Sequence, residues 1–126
     1  MILGIGTDAV DVARVERMLA ERGDRLLARL FTDAEVEYAR GKALPAKHLA
    51  VRLAAKEAAY KAFAGNELAR AIGWRDTEVV LREDGSPKLR FYGRAEQRFA
   101  ELAAARVHVS LSHTDTTAVA VVILEA

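Results

Sequence analysis

The segment over residues 45–63 carries the longest helical pattern in this 126-residue chain, and its side-by-side composition restricts what can surround it. Pro45 suits a first helical turn, where its missing N–H is not needed. Ala54, Ala58 and Ala62 recur at four-residue spacing and form a small-residue stripe that lets another element pack close. Leu53, Glu57, Tyr60 and Lys61 cluster roughly opposite, with Arg52 and Lys56 at the margin. Gly65 and Asn66 are expected to end the helix.

Residues 2–8 alternate as a strand, with Ile2, Gly4, Gly6 and Asp8 on one face. The two glycines leave room for something to approach the backbone. A helix is expected over 11–22, stopped by Gly23, with Val12, Val15 and Leu19 on one side and Arg14, Arg17, Met18 and Arg22 on the other. Asp24 is expected to cap a short helix ending near Leu30, and Thr32 with Glu35 forms a capping box for the next. Residues 77–82 and 87–92 flank Asp84-Gly85, a hairpin signal, and place Val79, Leu81, Leu89 and Phe91 toward a core. A helix is expected over 94–104, then an alternating strand over 107–112, a polar turn over 113–116 and an apolar strand over 117–124. The fold class is α+β, helices packed on a mostly antiparallel sheet, in a single domain over 1–126.

Hydrophobic residues at 52% and charged residues at 29% fit a globular chain. No cysteine is present, which excludes disulfides and thiol ligands and suits the cytoplasm. The start, MILGIGTD, has no basic segment and no long apolar run, so it is not a signal peptide, and no stretch nears the roughly 20 apolar residues of a membrane helix. A net charge of +1 gives no bulk attraction to nucleic acid or acidic membranes.

Three places carry candidate chemistry. Asp8 ends a glycine-bearing strand, where it is either a helix cap or a ligand. In Arg52-Leu-Ala-Ala-Lys-Glu-Ala-Ala-Tyr-Lys61, Glu57 and Lys61 are either a surface i,i+4 pair or part of a phosphate and metal site. A carboxylate holds a hard cation there while the cations neutralise phosphate oxygens. Ser112 and His113 are adjacent on a strand and point to opposite faces, and there is no Gly-x-Ser-x-Gly elbow, so a serine hydrolase is disfavoured. His48, His108 and His113 lack zinc-motif spacing.

Taken in order along nearly the whole chain, these pieces resemble the small stand-alone phosphopantetheinyl transferases, the holo-acyl-carrier-protein synthases. Ile2-Leu-Gly-Ile-Gly-Thr-Asp8 resembles the family's opening strand, and Phe31-Thr-Asp-Ala-Glu35 its phrase after the first helices. Arg52 to Lys61 resembles the signature helix, and Gly73-Trp74 with Asp76-Thr-Glu-Val79 the strand that follows. Asp84-Gly-Ser-Pro87 resembles the family's hairpin, and Val109-Ser-Leu-Ser-His-Thr114 with Ala118-Val-Ala-Val-Val122 its closing hairpin. Ala64-Gly-Asn-Glu-Leu68 departs from the Gly-Thr-Gly-like turn of many members.

The resemblance implies transfer of 4′-phosphopantetheine from coenzyme A to a serine of apo acyl carrier protein, releasing 3′,5′-ADP, in support of fatty acid biosynthesis. It implies Mg²⁺ on Asp8 and Glu57, with Asp8, Glu57 and Lys61 as the catalytic set. Lys61 would contact the pyrophosphate, Arg52 and Lys56 would add positive charge beside it, and His113 and Thr114 would lie near the nucleotide. The base for the serine is either a water on the metal or Glu57 acting through water. Arg14, Arg17, Met18, Arg22 and Arg25 would receive the acidic carrier protein. Members are similar in being homotrimers with active sites at subunit boundaries. The chemistry of Asp8, Glu57 and Lys61 alone also allows another Mg²⁺-dependent phosphoryl or nucleotidyl transferase, or a non-catalytic module that holds coenzyme A or carrier protein.

Overall fold

The computed structural model describes residues 1–126. The elements run β1 (Ile2–Asp11), α1 (Val12–Arg22), α2 (Asp24–Leu30), α3 (Asp33–Arg40), α4 (Pro45–Phe63), α5 (Glu67–Arg70), a 3₁₀ turn (Trp74–Asp76), β2 (Thr77–Leu81), β3 (Pro87–Phe91), α6 (Gly93–Glu101), β4 (Arg106–His113) and β5 (Thr117–Glu125). The strands form two antiparallel sheets, one of order β1-β5-β4 and a hairpin of β2 with β3. The α+β class holds, with two small sheets where one was expected.

Helix α4 is the axis of the molecule. Its small-residue stripe meets β1, where Gly4 and Gly6 face it. A Cβ on Gly6 would lie 1.9 Å from the Ala58 carbonyl oxygen, and one on Gly4 would lie 2.1 Å from that of Ala62. Strand and helix backbones therefore touch directly, and Ala54, Ala58 and Ala62 are buried in the contact. The strand's alternation sends Asp8 to the same face, so its carboxylate reaches α4 one step further along. β1 pairs with β5 in register through Asp8↔Ala120 and beyond. Asp8 thus lies within a ten-residue strand and caps no helix.

In β5, Ala118, Ala120, Val122 and Leu124 point to α4 and are fully buried. Val119 and Val121 point away and remain more than a third exposed. This strand is central in its sheet, yet only one of its faces is covered within the chain.

Several local expectations are corrected. Asp24 makes no side-chain cap; it occupies the first turn of α2, and its carboxylate pairs with Arg40 at 2.8 Å. Leu81 is exposed at the far end of its hairpin, while Val79 and Leu89 are buried. Helix α6 stops at Glu101, and Ala103 takes a positive φ of 57°. Asn66 does not end α4 but caps α5, its side-chain oxygen accepting from the Ala69 N–H at 2.9 Å. The capping box of Thr32 and Glu35 is present. Glu35 does more than cap: it is 1% exposed, accepts from the Val79 N–H at 2.9 Å and pairs with Lys56 at 2.7 Å.

Candidate functional site

Three side chains meet where β1 crosses α4. The Lys61 Nζ donates to Asp8 Oδ1 at 2.9 Å and to the Thr7 carbonyl at 3.0 Å. Glu57, one turn before Lys61, sets its carboxyl beside that of Asp8, close enough for each to shift the other's acidity. Burial, the hydrogen bond with Asp8 and the Asp8 charge push the Glu57 carboxyl up to about 7. Burial alone would raise Asp8 too, but the Glu57 hydrogen bond and the Lys61 ammonium outweigh it and hold Asp8 below its ordinary value. The two carboxyls are thus pushed in opposite directions, Glu57 up and Asp8 down.

Asp8 Oδ2 is buried and has no hydrogen-bond partner. A buried carboxylate oxygen left bare beside a second carboxyl costs free energy unless a cation or donor fills the gap. No third Asp, Glu, His or Cys joins the cluster. Two carboxylates with the remaining positions left to phosphate oxygens and water suit Mg²⁺, which keeps waters and binds through one or two protein carboxylates. The residues present therefore fit the group.

A cavity of about 420 Å³ opens beside the cluster, lined by Lys56, Glu57, Tyr60, Lys61, Arg70, Ile72, Gly73, Trp74 and Thr77. Its far wall is the segment after α5. Tyr60 donates its hydroxyl proton to the Arg70 carbonyl at 3.2 Å and closes one end. On the other side of Glu57 runs a second depression, among whose walls are Arg14, Met18, Arg22, Arg29, Leu53 and Trp74. Arg25 borders the adjoining hollow with Arg22 and Arg29. Arg17 is exposed and lines neither, and Met18 is half-buried against the core. Arg29 and Leu26 join this groove without having been singled out. The arginine spacing through 22, 25 and 29 is the signal that marks one face across two short helices.

Lys56 requires a correction. It borders the cavity, but its side chain is 1% exposed and its ammonium is bonded to Glu35 at 2.7 Å, to the Trp74 carbonyl at 3.0 Å and to the Thr77 carbonyl. All three N–H groups are engaged, so none is free for a pyrophosphate. Arg52 also lies away from the cavity. Its guanidinium sits 4.3 Å over the Tyr38 ring and donates to the His48 carbonyl at 3.2 Å. His113 ends β4 and Thr114 opens the β4–β5 turn, near the start of α4. There the neighbouring Lys47 holds Asp115 at 3.0 Å, while burial and the nearby Arg52, Lys42, His113 and Lys47 hold His48 below its ordinary value. From His48 to Lys61 the helix rises about 20 Å. Within one chain, the structure brings Asp8, Glu57 and Lys61 together and leaves His113 and Thr114 at the opposite end of α4.

The chain matches the family model described as the 4′-phosphopantetheinyl transferase superfamily over residues 4–122. It is 51% identical over 125 residues to a holo-[acyl-carrier-protein] synthase of Geobacter metallireducens, covering 99% of this chain and 98% of the relative. It is 44% identical over 126 residues to a synthase of the same description from Thermus thermophilus, covering 100% and 95%. A solved holo-[acyl-carrier-protein] synthase from Neisseria meningitidis superposes with a TM-score of 0.88 at 29% identity, covering both chains in full. One from Bacillus anthracis, in complex with CoA (3′,5′-ADP), gives 0.79 at 34% identity, covering 100% of this chain and 98% of its own.

Proposed function

This chain belongs to the 4′-phosphopantetheinyl transferase superfamily, and from that premise we propose how its residues carry out the family's reaction. The activity is that of a holo-acyl-carrier-protein synthase: 4′-phosphopantetheine passes from coenzyme A to a serine of apo acyl carrier protein, and 3′,5′-ADP leaves. The observation that carries the site assignment is the bare, buried Asp8 Oδ2 beside a Glu57 carboxyl pushed up to about 7, with Lys61 at 2.9 Å.

Asp8 and Glu57 are the groups that would hold Mg²⁺. When bound, the ion neutralises charge on the pyrophosphate oxygens. Lys61, whose side chain is 55% exposed, can turn its ammonium from the Thr7 carbonyl to a non-bridging oxygen without leaving Asp8. Glu57 lines both the cavity and the groove, which places it to receive the serine proton through a water. The cavity beyond Lys61 lodges the pantetheine arm; its volume of about 420 Å³ falls in the range of small-ligand sites. The groove rimmed by Arg14, Arg22, Arg25 and Arg29 receives the carrier protein and delivers its serine to Glu57.

His113 and Thr114 lie too far from Lys61 to share a ligand with it inside one chain, so the nucleotide end of coenzyme A is bound by a neighbouring copy. The outer sheet face supplies a surface for that copy: Ile5 is 62% exposed, and Val121 and Val119 lie exposed on the same face of the neighbouring strand. An apolar sheet face left in water favours association. We therefore read the active unit as a homotrimer of single-domain chains, working in the cytoplasm with its two substrates.

The test is the intact mass of apo acyl carrier protein after incubation with this protein, coenzyme A and Mg²⁺. A gain of about 340 Da, abolished by EDTA, is the expected result for phosphopantetheine transfer. A gain that survives EDTA removes the metal assignment, and no gain across several carrier proteins removes the activity.

A further inference from the structure

The cavity and the arginine-rimmed groove are separate depressions that share two lining residues, Glu57 and Trp74. Glu57 belongs to the reacting centre. Trp74 lies away from it in sequence, at the start of the 3₁₀ turn after α5. We infer that Trp74 is a substrate-positioning residue: its ring is the partition between the donor's arm and the acceptor's serine-bearing segment, and it orients both toward Glu57.

The character of each depression supports this. Of the cavity's three cations, Lys56 is paired with the buried Glu35 and Lys61 with Asp8, which leaves Arg70 without an acidic partner. Tyr60, Ile72 and the Trp74 ring supply apolar wall. That lining suits an uncharged chain with a few amides better than a polyphosphate. The groove, with three arginines around Met18, Leu26, Leu30 and Leu53, suits an acidic surface carrying an apolar spot. The reaction joins material from both sides at one phosphorus, and reacting atoms must approach within about 3–3.5 Å in line. A residue that faces both sides at the crossing point controls that approach.

Trp74 is also held as a partition needs to be. Its carbonyl accepts from Lys56 Nζ at 3.0 Å, and Lys56 is fixed in turn by Glu35 at 2.7 Å. The Gly73 N–H donates to Asp76 Oδ2 at 2.9 Å, which tightens the turn in which Trp74 sits. The backbone is tied down while the residue stays 37% exposed. An anchored backbone carrying a partly exposed aromatic ring offers a rigid contact surface at small entropic cost on binding.

The inference rests on the proposed reaction, and the experiment separates the two. Trp74 is the single tryptophan of the chain, so its emission reports on this point alone. With Mg²⁺ present, coenzyme A is expected to shift the emission and shield the ring from acrylamide. 3′,5′-ADP, which lacks the arm, should do neither. A carrier protein whose acceptor serine is alanine should shift the emission from the other side. Trp74→Ala should raise KM for both coenzyme A and carrier protein about tenfold, the loss of roughly 1.4 kcal/mol of contact to each, and Trp74→Phe should restore most of it. Equal shifts from coenzyme A and 3′,5′-ADP overturn the inference, as does no shift with coenzyme A while the carrier protein still gains mass; in both cases the reaction stands. A Trp74→Ala protein with unchanged KM values, lower kcat and a lower melting temperature shows a packing residue only. Failure of the wild-type protein to transfer removes the reaction and the inference with it.

Discussion

At Glu57 burial and the Asp8 charge work against ionisation, while Arg14 and Lys61 work for it, and the balance leaves the carboxyl near 7. The sign of the resulting stability effect follows from linkage. The folded state holds a proton at Glu57 that the unfolded chain releases at its ordinary value of 4.5. This group's stabilisation is therefore present below about 4.5 and is lost as pH rises through about 7. His48 acts the opposite way, because its lowered value makes the folded state bind fewer protons below 6.5. The informative quantity is thus a difference between proteins. In EDTA, the melting temperature of wild type relative to Glu57→Gln should fall between pH 5 and 7.5, roughly the window set by linkage; a constant or rising difference contradicts the raised value of Glu57. Asp8→Ala and Glu57→Ala should each cut turnover about 100-fold or more, the scale of losing a principal transition-state stabiliser, while circular dichroism stays native. Near-normal turnover in either protein would overturn the metal assignment.

Among elements, the contact of β1 with α4 sets the site. Gly6 has no room for a methyl group, since its Cβ would sit 1.9 Å from a backbone oxygen that no rotamer change can move. Gly6→Ala should destabilise by about 3 kcal/mol, the upper end of overpacking, and in any folded fraction it should separate Asp8 from Glu57. An unchanged midpoint in a denaturant titration would show that strand and helix are not in backbone contact. On α1, reversal of Arg14 and Arg17 to Glu should raise KM for carrier protein far more than KM for coenzyme A. Arg14 should carry most of the effect, because it borders the groove beside Glu57 and Arg17 does not. A rise confined to coenzyme A would move the docking face elsewhere.

For the molecule as a whole, the outer face of the β1-β5-β4 sheet is the unfinished surface. Ile5 pairs with Ile123 and Thr7 with Val121, so the exposed apolar side chains form a contiguous strip across two strands. Light scattering should give three times the chain mass, and Val121→Glu should give a smaller, folded species without activity. A fully active monomer would remove the shared-site proposal and require His113 and Thr114 to act elsewhere.

Much of this was legible along the chain because it depends on near neighbours. The capping box, the glycine stop after α1, the Asp84-Gly85 hairpin and the single-face run of Gly4, Gly6 and Asp8 are local or periodic signals. The order of motifs was sufficient to identify the family. Other features follow from which surfaces meet. Lys56 looked like a free cation on a helix margin; Glu35, brought by another helix, neutralises it and turns it into the anchor of the Trp74 turn. Leu81 alternated correctly but ran past the end of the core. The glycines and the alanine stripe each announced a close approach, and only the fold shows that they approach each other. Sequence determined the elements and the chemistry each carries, through backbone preference and side-chain spacing. The tertiary structure decided which charges are spent, which remain bare and which side chains line both depressions, because burial and partnership are properties of the assembled surfaces.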